Sequence, residues 1–250
     1  MVKRVYQMSE QEKKELLKRI DNDLKKTLTQ KRYLHSISTM KKAQELAKKY
    51  SQDELIVMLT ALTHDIAKEM TQQEYTKYAK DNHIRLDWFD KIQGMAVHGK
   101  IGANIARTKY GFTREMQEAI LYHTTARANM TMLDKIIFLA DKTEELREGE
   151  SAEKLRKVLD EGDLDDAILY DIDYYTIPRI IETNKLIHPN CIYARNDILA
   201  RKLESWKSEK VEKIINILFQ PNSYLKKGKV EKNESRFSIS RWPELKELHI

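Results

Sequence analysis

The amino-acid sequence predicts an all-α protein. Its 250 residues include only seven Gly and four Pro, the two residue types that most often interrupt helices. Residues that favour helices, such as Lys, Glu, Leu, Ala and Ile, dominate the composition. Apolar residues recur at helical spacing through most of the chain, and no convincing set of strands is present. We therefore expect a helical bundle followed by a C-terminal extension.

The N-terminal part of the chain predicts three helices. The first covers residues 9–28 and begins with a capping-box pattern formed by Ser9 and Glu12. The second covers residues 31–50. The third runs through ELIVMLTALTHDIAK, and its nearly continuous apolar stretch predicts a central, mostly buried helix.

Four shorter helices are expected in the middle of the chain. A second capping-box pattern, at Thr71, precedes QEYTKYAKDN, and a short helix follows at residues 88–92. The next helix begins at residue 97 and is ended by Gly111, because glycine readily adopts the left-handed conformation found after helix ends. Thr113 is placed to cap the helix REMQEAILYH.

The C-terminal part predicts four more helices and a tail. MLDKIIFLADKTEELR and AEKLRKVL are followed by a long helix at residues 164–186, in which Pro178 predicts a kink. A last helix covers about residues 191–218. Beyond it the sequence is polar and lacks sustained periodicity, so we expect one domain at residues 1–219 and a polar, mobile or loosely docked tail at residues 220–250.

The charge pattern does not favour a nucleic-acid partner. The formal net charge is +6, but the lysines are interleaved with Glu and Asp, as on solvated helix faces. A modest positive excess also helps to gather small polyphosphate anions. The sequence leaves open whether the chain forms a homodimer.

Cysteine usage and hydropathy predict a cytoplasmic protein without a membrane partner. Cys191 is the only cysteine, which excludes a disulfide within the chain and zinc sites built from several cysteines. The first residues contain no apolar stretch of signal-peptide length. No apolar run approaches the length that crosses a bilayer.

Six His and Asp residues lie on apolar helices or at their edges. A buried carboxylate without a partner costs several kcal/mol, and a metal ion is one partner that offsets this cost. Any one of the histidines alone is more simply explained as a hydrogen-bonded core or surface residue. Together, four imidazoles and two carboxylates predict a site for two metal ions. The set comprises His35, His64, Asp65, His98, His123 and Asp141.

The order of these six residues resembles that of the HD-domain phosphohydrolases, and more closely that of the bacterial YqeK-type family of symmetrical diadenosine tetraphosphate hydrolases. The similar segments lie within about residues 20–200. A His-Asp pair alone is poorly specific, whereas the combination HGxxGA, YHTT and IHPxxxxARND is much more specific. The segments are RYLHS, LTHDIAKE, HGKIGA, AILYHTTAR, LDKIIFLAD and IHPNCIYARNDIL.

The resemblance implies an HD-domain fold and a hydrolase that cleaves a phosphoric anhydride bond. The expected reaction converts diadenosine tetraphosphate into two ADP, with a hydroxide generated between two metal ions as nucleophile. The expected metals are two divalent or trivalent ions, iron first. Ligands of nitrogen and oxygen without sulfur suit manganese and cobalt as well, and zinc is also open.

The resemblance also implies a role for each ligand. His35, His64, Asp65 and Asp141 would hold one ion, and Asp65 would bridge to a second ion held by His98 and His123. Asp65 and Lys68 are the expected catalytic residues, since Lys68 follows His64 at the helical spacing i+4 and would neutralise a phosphate oxygen. The expected substrate-binding residues are Lys68, Gly99, Gly102, Thr124, Thr125, Arg127, Tyr193, Arg195 and Asn196.

Three features depart from the family pattern. Asp141 is followed by Lys142, Thr143 and Glu144, where an aromatic residue, an aliphatic residue and Glu-Pro are expected. Residues 126–128 read Ala-Arg-Ala in place of a glycine-containing loop. A long segment also follows ARND, where the family usually ends.

Two other functions are compatible with the pattern. The first is an HD-type nucleotidase or phosphodiesterase that acts on another nucleotide. The second is a nucleotide- or RNA-binding module in which the metal site is structural, although the intact ligand set argues against it.

Overall fold

The computed structural model describes residues 2–94 and 96–219, with no side chains described at residues 206–208 and 210–219. In this part of the chain all regular secondary structure is helical, which confirms the predicted all-α class. A single turn of 3₁₀ helix at Val5–Gln7 precedes the α-helices. The α-helices are α1 (Glu10–Thr27), α2 (Gln30–Lys49), α3 (Glu54–Thr63), α4 (Gln72–Asp81), α5 (Trp88–Gln93), α6 (Val97–Tyr110), α7 (Arg114–Tyr122), α8 (Met132–Thr143), α9 (Glu150–Glu161), α10 (Leu164–Asp171), α11 (Ile177–Glu182) and α12 (Pro189–Phe219).

The predicted helix starts agree with the structure where a cap was identified. The Ser9 side chain accepts a hydrogen bond from the backbone N–H of Glu12, and the Glu12 carboxylate accepts one from the backbone N–H of Ser9. Thr71 begins α4 with the same reciprocal pair, and Thr113 caps α7. These caps bind N–H groups that have no partner inside the helix.

Helix α3 lies at the centre of the bundle. Helices α1, α2, α7 and α8 all pack against it. Leu59, Ala61 and Leu62 of α3 are buried, as its nearly continuous apolar sequence predicts. Five of the six metal-ligand candidates lie on four of these five helices or within two residues of their ends, so the bundle core fixes their positions; the sixth, His98, lies on α6.

The third helix ends earlier than expected. It stops at Thr63, and the predicted helical segment after it forms consecutive turns. The Ala61 carbonyl accepts hydrogen bonds from both the backbone N–H and the ring Nδ1 of His64. This carbonyl is therefore engaged by His64 rather than by Asp65, its partner in a continuing helix.

The long helix expected at residues 164–186 is divided into three pieces. Helix α10 is followed by a π-helical turn at Ile172–Thr176 and then by α11, which ends at Glu182. The interruption therefore precedes Pro178, where the kink was expected. Proline lacks an N–H group and its ring would clash with the carbonyl of Tyr174 in a regular α-helix, and the wider π turn relieves this conflict.

The chain divides into a compact unit of Met1–Glu204 and a second unit of Ser205–Ile250. The expected boundary at residue 219 stays a prediction, and the predicted tail at residues 220–250 lies outside the described residues. None of the described helices combines the length and the apolar character that are needed to span a membrane.

Candidate metal centre

Five helices bring the six predicted ligands together. His35 lies in the first half of α2, and His98 lies at the start of α6. His64 and His123 directly follow α3 and α7. Asp65 comes next to His64 in the first turn after α3. Asp141 lies near the end of α8. All except Asp141 are buried, and the Asp141 side chain is only 14% exposed.

The ligand atoms form two adjoining groups. In the first, Asp141 Oδ1 lies 3.0 Å from His35 Nε2 and 3.6 Å from His64 Nε2. In the second, His98 Nε2 and His123 Nε2 lie 3.0 Å apart. Each group thus converges on a small volume bounded by imidazole nitrogen atoms.

Asp65 lies between the two groups and presents one oxygen to each. Its Oδ2 lies 3.7 Å from His35 Nε2 and 3.5 Å from His64 Nε2. Its Oδ1 lies 3.3 Å from His98 Nε2 and 3.4 Å from His123 Nε2. A carboxylate in this position can share its two oxygens between two cations.

The tautomers of His64 and His123 leave the Nε2 atoms free to bind a cation. Nδ1 of His64 donates to the Ala61 carbonyl at 2.7 Å, and Nδ1 of His123 donates to the Ile120 carbonyl at 2.6 Å. A carbonyl only accepts, so Nδ1 carries the proton and, in the neutral ring, Nε2 presents a lone pair. Those lone pairs face carboxylate oxygens that also carry lone pairs. A cation between them satisfies both.

Three buried polar atoms of the site are available to a metal ion. His35 Nε2, His64 Nε2 and Asp65 Oδ1 have no hydrogen-bond partner among the described residues. Buried polar atoms are normally paired, and unpaired ones cost free energy. The ligand atoms of His35, His64 and Asp141, and likewise those of His64, Asp65 and His123, all lie within 4.8 Å of one another. These nitrogen and oxygen donors fit a divalent transition metal, and neither group contains sulfur.

The protonation states also suit metal binding. Burial opposes the ionisation of Asp65, but the surrounding imidazoles of His64, His123 and His98 hold the pKa of its carboxyl well below the usual range. Burial lowers the pKa of His98 to about 4. The carboxyl is therefore ionised, and the His98 imidazole is neutral, at neutral pH.

Three cationic side chains surround the carboxylates. Arg32 donates from Nη1 to Asp65 Oδ2 at 2.7 Å, and Arg147 donates from Nη2 to Asp141 Oδ1 at 2.7 Å. Lys68 Nζ lies 3.1 Å from His98 Nε2 and 3.8 Å from Asp65 Oδ1. Burial lowers the pKa of Lys68. These groups can bind phosphate oxygens at the edge of the centre.

The structure adds residues that the sequence analysis did not identify as functional. Arg32 precedes His35 by three residues on α2, and this spacing places two side chains on one helix face. Glu144 follows Asp141 by three residues, and its Oε1 accepts from His35 Nδ1 at 2.9 Å. Arg147 follows Glu144 by three residues. For Arg32 this spacing was a usable signal, whereas Glu144 and Arg147 lie beyond the end of α8.

Three of the expected substrate-binding residues lie at the centre or beside it. Lys68 reaches His98, although it lies in a turn rather than on a continuing helix. Thr124 Oγ1 lies 3.3 Å from His98 Nε2 and 3.2 Å from His123 Nε2. Thr125 is buried, and its hydroxyl donates to the Ala126 carbonyl.

The expected roles of Gly99 and Gly102 in substrate binding have no support from their contacts. A Cβ atom at Gly99 would lie 2.8 Å from the Leu121 carbonyl oxygen, and one at Gly102 would lie 3.4 Å from Ile66 and Ile120 side-chain atoms. Both glycines therefore allow close packing, Gly99 against the backbone of α7.

Arg127 does not line the metal centre. Its guanidinium donates to Asp134 at 2.8 Å and lies 3.0 Å from a Glu118 oxygen. Asp134 is buried, so its carboxylate needs this partner. The contacts explain Arg127 as a structural residue, and its expected contact with phosphate has no support here.

The remaining expected substrate residues lie on α12. Arg195 donates a hydrogen bond from Nε to Asp173 at 2.5 Å, so the Asp173 carboxylate compensates the charge of its guanidinium group. Tyr193 is 60% exposed, and Asn196 is exposed. Their roles in substrate binding stay predictions.

Two clefts adjoin the centre. The first, here the polar cleft, has a volume of about 230 Å³ and is lined by residues that include Asp141, Lys142, Arg147, Tyr175, Thr176 and Arg179. The second, here the apolar cleft, has a volume of about 150 Å³ and is lined by residues that include Phe89, Thr124, Lys142, Thr176, Arg179 and Ile180. Asp141 lines the first cleft and Thr124 lines the second, so both clefts are candidates to receive part of a ligand.

Comparisons with known proteins show which family the chain is similar to. Residues 32–146 match the HD domain, and this range contains all six ligand candidates. The symmetrical bis(5'-nucleosyl)-tetraphosphatase of Halalkalibacterium halodurans is 34% identical over 180 residues, which cover 70% of this chain and 93% of that protein. The protein of the same description from Bacillus subtilis is 29% identical over 174 residues, which cover 69% of this chain and 92% of that protein.

A solved structure is similar along most of the chain. It is described as a predicted HD superfamily hydrolase involved in NAD metabolism from Clostridium acetobutylicum. The TM-score is 0.70 and the sequence identity is 34%, with 74% of this chain and 97% of that chain covered.

Proposed function

Because the chain belongs to the HD-domain family of symmetrical bis(5'-nucleosyl)-tetraphosphatases, we propose that it hydrolyses diadenosine tetraphosphate to two ADP. One water is consumed: the anhydride bond between the second and third phosphorus atoms breaks, and the water oxygen joins one of the two. The observation that supports this best is Asp65, whose two oxygens each face a different pair of imidazoles.

Two metal ions are part of the proposal. His35, His64, Asp141 and one oxygen of Asp65 would hold the first, and His98, His123 and the other oxygen of Asp65 would hold the second. When bound, such ions lower the pKa of water and act as Lewis acids on phosphoryl oxygens. Iron is our first candidate because of the resemblance to the YqeK-type family, and the nitrogen and oxygen ligands also suit manganese, cobalt and zinc.

The chain's own groups orient the polyphosphate and stabilise its charge. Arg32, Lys68 and Arg147 place three cations around Asp65 and Asp141. Cationic donors that are fixed before reaction stabilise charge that develops on phosphoryl oxygens at little reorganisation cost. The Thr124 hydroxyl lies beside the second imidazole pair and adds a donor there.

The decisive experiment identifies the products. Iron-loaded protein should convert diadenosine tetraphosphate into ADP alone, and in ¹⁸O-labelled water one of every two ADP molecules should carry the label. ATP and AMP as products would indicate asymmetrical cleavage. Turnover of other nucleotides without cleavage of this substrate would favour a different HD-type nucleotidase or phosphodiesterase, and bound metal without turnover on any nucleotide would favour a binding module.

Three further expectations accompany the proposal. We propose that residues 1–219 suffice for activity, because about 70% of this chain already covers more than nine-tenths of the relatives. Truncation after Phe219 should therefore retain both metals and most of the turnover. We also propose a cytoplasmic location and a homodimer, which cell fractionation and light scattering would test.

A further inference from the structure

The polar cleft and the apolar cleft share part of their lining. Lys142, Thr176 and Arg179 line both. The polar cleft also includes Asp141 of the first ligand group, whereas the apolar cleft includes Thr124, which contacts His98 and His123 of the second. A ligand that reaches from one cleft to the other would therefore pass these three residues.

Lys142 is held in place by the π-helical turn. Its Nζ lies 3.3 Å from Asp171 Oδ2, and the Thr176 hydroxyl donates to the same oxygen at 2.7 Å. Asp171 and Thr176 are five residues apart, a spacing that a π turn brings closer together than an α-helix does. Asp171 compensates the charge of Lys142, so this cation is a fixed part of the lining.

Arg179 differs from the other arginines near the site. It follows Thr176 by three residues, and its side chain is exposed. Arg147, Arg127 and Arg195 each bind a carboxylate. Arg179 has no ion pair with any residue in the described part of the chain. An unpaired guanidinium that lines two clefts beside a metal centre is suited to bind a phosphate group.

The chemistry of the clefts indicates which part of a ligand each one binds. The polar cleft contains three cationic side chains, Lys142, Arg147 and Arg179. The apolar cleft is lined mostly by apolar and aromatic groups such as Phe89, Ile180 and Leu186. A nucleobase is suited to the second environment and a phosphate chain to the first.

We propose that Arg179 binds the phosphate chain of a nucleoside polyphosphate where the chain passes between the two clefts. This inference rests on the proposed function, because it assigns the clefts to the two ends of a nucleoside polyphosphate. The nucleoside occupies the apolar cleft, and its phosphates pass the metal centre and Lys142. Arg179 lines both clefts, so it meets the chain between them.

The test measures binding as well as turnover. Calorimetry with adenosine and with adenosine 5'-tetraphosphate compares a ligand without phosphate and a ligand with a phosphate chain on the metal-loaded protein. Arg179→Gln should weaken binding of the tetraphosphate about tenfold, the effect of one lost charge-assisted hydrogen bond, and that of adenosine less than about twofold. Arg179→Lys should recover part of the loss, since an ammonium group keeps the charge without the planar donor geometry.

A matched control separates this effect from a general loss of positive charge. Arg107→Gln removes another exposed arginine, which lies on α6 and lines neither cleft. It should bind both ligands as the unmodified protein does. Unchanged affinity of Arg179→Gln for the tetraphosphate, or an equal loss for both ligands, would overturn the inference.

The proposed function is tested separately in the same proteins. The unmodified protein could fail to convert diadenosine tetraphosphate into ADP while Arg179→Gln still weakens binding of the tetraphosphate more than that of adenosine. The proposed function then fails and the role of Arg179 stands. If turnover yields ADP and the KM of Arg179→Gln for diadenosine tetraphosphate is unchanged, the proposed function stands and the role of Arg179 fails.

Discussion

Nδ1 of His35 donates a hydrogen bond to Oε1 of Glu144 at 2.9 Å, so a carboxylate lies directly behind one imidazole of the metal centre. Glu144 is itself held by the backbone N–H of Leu146, and Arg156 binds its carbonyl oxygen. His64 and His123 donate instead to backbone carbonyls. A carboxylate partner fixes the tautomer and raises the basicity of a metal-binding imidazole.

Glu144→Gln should therefore weaken metal binding. The amide keeps the size of the side chain but removes its charge, and loss of such a partner typically costs about 10–100-fold in affinity. Titration calorimetry with Mn²⁺ measures the effect. Glu145→Gln is the matched control, because Glu145 is exposed and adjacent. Equal Mn²⁺ affinities for the two variants would show that Glu144 does not position His35.

Asp65→Ala should remove most of the bound metal and abolish hydrolysis. Each oxygen of Asp65 faces one of the two ligand groups, so both lose an anionic ligand at once. Metal content by mass spectrometry and ADP release are the measurements. Asp173→Ala, which removes a carboxylate paired with Arg195, is the control for folding. A variant that keeps two metals per chain and normal turnover would refute the assignment of the centre.

Lys68→Ala should slow the reaction without removing metal. The ammonium group lies beside His98 and Asp65 but is a cation, so it acts on phosphoryl charge rather than as a ligand. The expected loss of transition-state stabilisation is about 2–4 kcal/mol. Single-turnover kinetics of fully loaded protein measure it, with Lys91→Ala on α5 as an exposed control. Unchanged kinetics with full metal occupancy would show that Lys68 does not act on the reacting phosphate.

The sequence predicts the helices well where short-range rules determine them. The starts at Ser9, Thr71 and Thr113 follow from caps that satisfy local N–H groups. The end of α3 at Thr63 does not follow from periodicity, because it depends on the His64 side chain competing for the Ala61 carbonyl. Such competition between side chain and backbone depends on packing rather than on spacing.

The candidate site likewise combines features that the sequence predicts with features that depend on packing. The metal ligands were identified because His and Asp are rarely placed on buried helices without a partner, and the structure brings all six together. Arg127 was expected to bind phosphate because of its place in a loop, but its guanidinium group instead forms an ion pair with the buried carboxylate of Asp134. Arg179 was missed because its position beside both clefts depends on the π-helical turn, which periodicity does not predict.

Lys100→Met should destabilise the fold. Asp90 is buried, and Lys100 binds it through Nζ. Breaking a buried ion pair by removing one partner typically costs about 3–5 kcal/mol, because the other charge is left uncompensated. Chemical denaturation measures the change. Lys14→Met, which breaks an exposed pair with Glu10, should cost less than about 1 kcal/mol, and equal effects of the two substitutions would contradict the argument.

Lys100 should also make the stability of the fold depend on pH in acid. A hydrogen bond from Lys100 lowers the pKa of the Asp87 carboxyl from 3.8 to about 2, although burial opposes the shift. A carboxyl with a lower pKa in the folded state stabilises the fold above pH 3.8, and this contribution is lost as the pH falls through about 2. The difference in unfolding midpoint between the unmodified protein and Lys100→Met should therefore narrow over this range.

Because the Asp87 side chain is 45% exposed, added salt at pH 7 should also narrow the difference in unfolding midpoint between the unmodified protein and Lys100→Met. A difference that stays constant from pH 5 to pH 2 would show that the effect of Lys100 does not act through ionised Asp87.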